Sequence, residues 1–412
     1  MPKQLDLSTL GLGAGEYSIQ AKAVASGYKD SELSNSVQYT VAQQGWTFGV
    51  SGISGSSPTL TRTDDSVGYT WTKNSTTGII TTDFDEVFNF EEVTDEYTNV
   101  FIRIPKMYYK RTADTIQLSD HAQTGFAVHP LFIDDNDNEM DYFDVGKYKG
   151  HYTNASLCSL PNETITGSIS LYSFREGARE WNPDNTSQSY YQYQIDDLRY
   201  LSWLWMFWMV VFATRQTEDV MGTSWYAASN ATTTGNTDDL VNNNLTYPRS
   251  ICGQDPTTHS FKLFGIEDVV GAGDEYVDGI SNNSGTIYYS FKPSKYINNP
   301  TSSSDGYLTL DYNVPTDSGY IVSMGLGTNA AIMLPNNVTD GSSTTYFCDY
   351  LFSSTSNNRC FYFGAREFSV YYGLFQLSCS SFTYTSYFIT SRLMRQYIEV
   401  LPWYLEIKQT HT

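Results

Sequence analysis

From Leu201 to Ala213 the chain reads LSWLWMFWMVVFA, a nearly unbroken apolar run carrying Trp203, Trp205 and Trp208. It falls well short of the roughly 18 residues that suggest a membrane span. It predicts a buried core helix instead, and such a helix needs other elements around it. The spacing extends that helix over about residues 195–216: Asp196 and Asp197 complement its N-terminus, and Leu198, Leu201, Trp205, Trp208 and Phe212 recur at intervals of three and four. At 412 residues the chain can enclose it, and at about 100–200 residues per domain there is room for two or three domains.

The surroundings read mainly as strands. Between Trp46 and about Arg111 the runs WTFGV, GIITT, NVFIRI and MYYK are divided by Gly, Ser and Asp turns, and from Ser260 onward SFKLFGI, TIYYSF and YIVSMG follow. One further helix is expected over Ser173 to Trp181 (SFREGAREW), and Gly222 to Pro248 reads as an exposed loop. Near the N-terminus, Tyr17, Ile19, Ala21 and Ala23 and then Val37, Tyr39 and Val41 alternate as strands do. Asp134 to Asp141 (DDNDNEMD) reads as a solvated acidic loop. An EF-hand would need Gly where Glu139 stands and a bidentate Glu where Val145 stands.

Charge narrows the partners. A net charge of −21 repels phosphate backbones and anionic lipid surfaces, so neither nucleic acid nor membrane insertion is expected. Charged residues are only 17% of the chain and aromatics 15%, a composition suited to contact surfaces. Cys158, Cys252, Cys348, Cys360 and Cys379 are odd in number and never paired as CxxC, which predicts free thiols. Met1 to Leu10 has no apolar signal core. GxSxG and HExxH are absent and the five histidines are widely spaced, so no catalytic residue, metal or cofactor is assigned.

Three segments carry resemblances. GEYSIQAKAVASGYKDSELSNSVQYTV resembles the last strands of a fibronectin type III or bacterial immunoglobulin-like module. So short a piece would need other copies, or a neighbouring virion protein, to complete it. FGIEDVVGAGDEYVDGI (Phe264 to Ile280) resembles the Gly-Asn-Val-Trp-Glu-Trp signature of the formylglycine-generating-enzyme branch of the C-type lectin fold. Gly271, Glu275 and Tyr276 match, while Ala272 replaces Asn and Asp274 replaces Trp, which argues against a bound calcium. The catalytic branch uses a close cysteine pair, which this sequence lacks.

The third segment, NNRCFYFGAREFSVYYGLFQLSCSSFTYTSYFITSRLM (Asn357 to Met394), resembles the variable region of diversity-generating-retroelement proteins. Framework positions there would be Phe363, Gly364, Gly373, Leu374, Phe375, Leu377, Ser391, Arg392 and Leu393, with Ala365 and Thr390 departing from the usual glycines. The resemblance implies inward packing of that framework, with Arg392 anchoring a buried carboxylate or carbonyls. The ligand-binding positions would be Phe368, Ser369, Val370, Tyr371, Tyr372, Ser378, Ser380, Ser381, Phe382, Tyr384, Ser386 and Tyr387. Independently, Phe368 to Thr390 holds no charge and mixes Tyr and Ser as antibody loops do.

The expected fold is therefore α+β. A partial immunoglobulin-like segment (1–43) and a β-rich connecting region (44–150) precede a C-type-lectin-like domain (151–412) of mixed sheets and two helices, with its variable segment at 353–391. The resemblance implies a host-attachment protein on a phage tail tip or fibre, or one on a bacterial cell surface. Its partners would be a bacterial surface protein or glycan and other tail proteins, in a homotrimer. A structural baseplate subunit and a polysaccharide-degrading tail enzyme are the alternatives; a secreted lectin, suggested by sequons such as Asn154-Ala155-Ser156, lacks a signal peptide and a disulfide set.

Overall fold

The computed structural model describes residues 15–19, 37–41, 45–182, 192–221, 233–300, 305–364 and 373–396. The chain forms two compact units, 1–46 and 47–412. In the first, the strands Gly15–Ile19 and Val37–Val41 pair antiparallel with Tyr17 opposite Tyr39. Ala21 and Ala23 lie outside the described residues.

The larger unit is α+β with strands predominating. The four runs read as strands after Trp46 contain Thr47–Ser51, Ile79–Thr82, Val100–Pro105 and Tyr108–Arg111. No break occurs at residue 150. One sheet runs in the order Tyr193–Ile195, Arg392–Gln396, Tyr142–Lys149, Val100–Pro105, Glu91–Thr94, so strands from both sides of the expected boundary share hydrogen bonds. The physical reason is that the Tyr142–Lys149 strand is buried along nearly its whole length, and only non-local neighbours can satisfy its backbone on both edges.

The long helix, α2, spans Leu198–Phe212 and is shorter than its apolar spacing suggests. Asp197 is its N-cap, accepting from the backbone N–H groups of Arg199 (2.9 Å) and Tyr200 (3.0 Å). Ala213 ends it in a left-handed conformation (φ 51°). Arg215, expected inside the helix, donates to the carbonyls of Ile53, Gly55 and Ser57 instead. All residues of α2 are buried, so it packs on every side rather than on one stripe. Trp203 stacks on Phe207 (4.7 Å), Trp205 meets Phe375 (5.6 Å) and Trp208 meets Phe261 (5.9 Å).

The shorter helix, α1, covers Leu171–Arg179 and begins earlier than expected, because the Ser170 hydroxyl accepts from the Ser173 N–H and caps it. The acidic loop is solvated at residues 136–139 and at Asp141 but not at its start. Asp134 and Asp135 are buried; Asp134 accepts from the N–H groups of Asn136 and Asn138 (2.8 Å each) and Asp135 from Ser294. Cys158, Cys252, Cys348 and Cys360 are buried free thiols and Cys379 is half-buried, and burial raises each thiol above its ordinary pKa. Among the described residues no helix is long and apolar enough to cross a membrane.

Candidate ligand-binding face

A second sheet carries the C-terminal segment. Its central strands run Asp274–Asn283, Arg359–Phe363, Leu377–Ser381, Tyr350–Phe352, Gly319–Tyr320, with Ile389–Thr390 joined in parallel to the first of these. Side chains alternate between the two faces of a strand, and the neighbours Glu275 and Tyr276 show what each face does. Glu275 points into the core, where Arg392 Nη2 donates to its carboxylate at 2.8 Å. The same guanidinium donates to the carbonyls of Gly146 (2.9 Å), Lys147 (3.1 Å), Glu267 (2.8 Å) and Asp268 (3.2 Å).

One arginine therefore ties the final strand to three other segments. Although burial opposes it, Arg392 and Lys149 hold the Glu275 carboxyl below its ordinary pKa. Asp196, which accepts from the Arg392 N–H (2.7 Å), is pushed well above its ordinary value, first by burial and then by the Glu275 charge.

Tyr276 faces the other way. Its hydroxyl donates to the Tyr384 carbonyl at 2.6 Å. Two further donors hold the same stretch: Ser168 N–H to the Ser386 carbonyl (2.8 Å) and Asp274 N–H to the Phe388 carbonyl (2.7 Å). A Cβ on Gly167 would lie 2.4 Å from the Tyr387 carbonyl oxygen, so only glycine lets that strap approach. Residues 384–388 are thus fixed through alternate main-chain carbonyls. Their side chains take no part in these bonds.

Those side chains are where solvent is reached. Thr383, Tyr384, Thr385 and Tyr387 are exposed, Tyr387 at 57% the most open large side chain of the segment. Ser380, Ser381 and Ser386 are half-buried. Two expected positions are corrected. Ser378 is buried between Tyr362 and Phe352, its partners on the neighbouring strands, and Phe382 is in the core cluster with Phe174, Tyr276 and Ile389. Phe382 is the one residue of Ser380 to Tyr387 without a side-chain polar atom, and that was the readable sign of its burial. Phe368, Ser369, Val370, Tyr371 and Tyr372 lie outside the described residues.

Phe363, Gly364, Gly373, Leu374, Phe375, Leu377, Ser391, Arg392 and Leu393 are all buried. The 373–375 turn is gripped by its backbone: Trp205 Nε1 of α2 donates to the Leu374 carbonyl (2.8 Å), and the Phe375 N–H donates to the buried Asp349 carboxylate (2.8 Å). A Cβ on Gly373 would lie 2.4 Å from Asp349 Oδ1. Sequence reasoning missed Tyr320, Tyr350, Phe352 and Tyr362. Strand register puts all four on the face that Tyr276 occupies, half-buried, with Tyr320 against Tyr350 (5.2 Å) and Tyr350 against Phe352 (4.7 Å). They escaped notice because strand pairing between distant segments, not local pattern, brings them into one row. Compared with known protein families and with curated proteins, the chain matches none.

Proposed function

We propose that this chain is a host-attachment protein of the phage-tail type, built on a C-type-lectin-like fold, whose C-terminal segment is a substitution-tolerant recognition face. One observation carries the reading. Residues 384–388 are held through the carbonyls of Tyr384, Ser386 and Phe388 while Tyr384 and Tyr387 project to solvent. Almost any side chain leaves such carbonyl bonds intact, so the surface can change without loss of the fold. Exposed tyrosines with serine and threonine between them offer large contact area at low entropic cost and adaptable hydrogen bonding. The ligand is a bacterial surface protein or glycan, and the location is the virion tail.

The test replaces Tyr371, Tyr372, Tyr384 and Tyr387 together by serine and compares melting, oligomer mass and binding to a panel of bacterial cells. Unchanged folding and mass with lost or redirected cell binding supports recognition. Disassembly with the cells still bound overturns it in favour of a structural tail subunit.

A further inference from the structure

The row of half-buried rings ends at a second feature of the same sheet. Beside the edge strand Gly319–Tyr320 lies a cleft of about 430 Å³ whose walls are residues 313–318 and 336–339. That volume falls in the range of small-ligand sites. Its lining combines amides, hydroxyls and one carboxylate with the apolar side chains of Val314, Pro315 and Val338, and holds no basic side chain.

The wall is built rather than loose. Ser353, the residue after Phe352, donates its N–H to Ser318 Oγ (2.9 Å) and its hydroxyl to the Pro315 carbonyl, which joins the cleft to the end of the ring row. The Asn336 side-chain oxygen accepts from Ser323 Oγ (2.6 Å), and that of Asn337 from the Thr339 N–H (2.8 Å). Among the described residues neither amide nitrogen makes a hydrogen bond. Each Asn therefore keeps an NH2 group available to donate, and the exposed Asp317 adds acceptors.

We infer that this cleft, together with the Tyr320, Tyr350 and Phe352 rings, binds a neutral glycan chain, a fixed subsite beside the variable face. Fixed amide donors and a carboxylate acceptor match adjacent sugar hydroxyls, while tyrosine and phenylalanine rings match the apolar C–H faces of pyranoses. The ligand is uncharged because the cleft lacks a cation and a chain of net charge −21 repels anionic polymers. The cleft is too small to seat a folded partner, whose interface spans far more surface. This deepens, and rests on, the host-attachment reading by naming the ligand class of its constant part.

The experiment applies the full chain to a printed array of neutral and anionic glycans and to the bacterial panel, beside the double variant Asn336→Ala/Asp317→Ala and the single variant Asn313→Ala. All three positions are exposed, and melting curves verify that the variants fold. The expected result is retention on neutral glycans, reduced at least tenfold in the double variant, with weaker cell binding. Retention on anionic glycans alone, no retention at all, or equal retention by the variants overturns the inference. If serine at Tyr384 and Tyr387 alters cell binding while the cleft variants do not, the attachment reading stands and the glycan subsite falls; if neither set alters it, both fall.

Discussion

Helix α2 and the 383–388 strap are both rich in aromatic residues and poor in charge, yet they lie at opposite extremes of burial. Every side chain of α2 is buried, and its tryptophans hold their neighbours by ring packing and by the Trp205–Leu374 bond. The strap is attached through its carbonyls and turns Tyr384 and Tyr387 outward. Aromatic content alone therefore does not say which way a segment faces. What separates the two is the source of the anchoring bonds: side chains hold α2 to its neighbours, and main-chain carbonyls hold the strap to its own.

The largest expected effect is at the hub beneath both regions. Arg392→Ala leaves Glu275 with Lys149 as its remaining buried partner and removes the guanidinium donor from four carbonyls, a loss of about 3–5 kcal/mol in urea unfolding. A loss below about 1 kcal/mol would mean that the strap does not depend on this hub. On α2, Trp205→Phe removes the bond to the Leu374 carbonyl and part of the contact with Phe375. It is expected to lower stability by about 2 kcal/mol, and a neutral outcome would erase the contrast between buried and exposed aromatics.

The same hub gives the framework a pH dependence. Burial, and then the neighbouring Glu267 charge, push the Asp268 carboxyl up to about 7. Between about pH 4, where an unfolded aspartate loses its proton, and pH 7, the folded chain binds a proton that the unfolded chain has released. Stability contributed by the neutral form is full below that interval and falls as pH rises through it, on the order of 1–3 kcal/mol. Asp268→Asn should flatten this part of a melting-temperature profile; an unchanged slope would place its origin elsewhere.

Smaller effects sharpen the comparison. Ala272 sits at φ 53° between Gly271 and Gly273, so Ala272→Gly, which relieves the left-handed strain, is expected to raise stability by roughly 0.5 kcal/mol. The smallest change is expected on the strap: Tyr387→Ser should shift stability by less than about 0.5 kcal/mol while altering cell binding at least tenfold. A destabilisation above about 1.5 kcal/mol would show the ring to be structural and break the distinction.

Much of the scaffold was legible in the sequence because its cues are local. The apolar run announced α2, and the pair Asp196 and Asp197 was read at its N-terminus, where Asp197 is the cap and the first helical residue is Leu198 rather than Ile195. The resemblance assigned Gly373, Leu374, Phe375 and Leu377 to an inward framework, and in the fold all four are buried. The candidate face was legible as a segment but not residue by residue. Ser378 and Phe382 were assigned outward and lie inside, because burial there depends on strands and a helix from distant parts of the chain.

By itself, then, the sequence determined where the long core helix lies, the charge that disfavours anionic partners, and the uncharged, Tyr- and Ser-rich stretch from Phe368 to Thr390. Tertiary structure decided that the strands Glu91–Thr94, Val100–Pro105 and Tyr142–Lys149 share a sheet with Arg392–Gln396, that Arg392 joins the two motifs through Glu275, and that the Tyr320, Tyr350, Phe352 and Tyr362 rings form one row. The physical reason is one of range. Helix periodicity and capping act over a few residues, whereas strand register and buried ion pairing join groups more than a hundred residues apart, and no local pattern encodes which will meet.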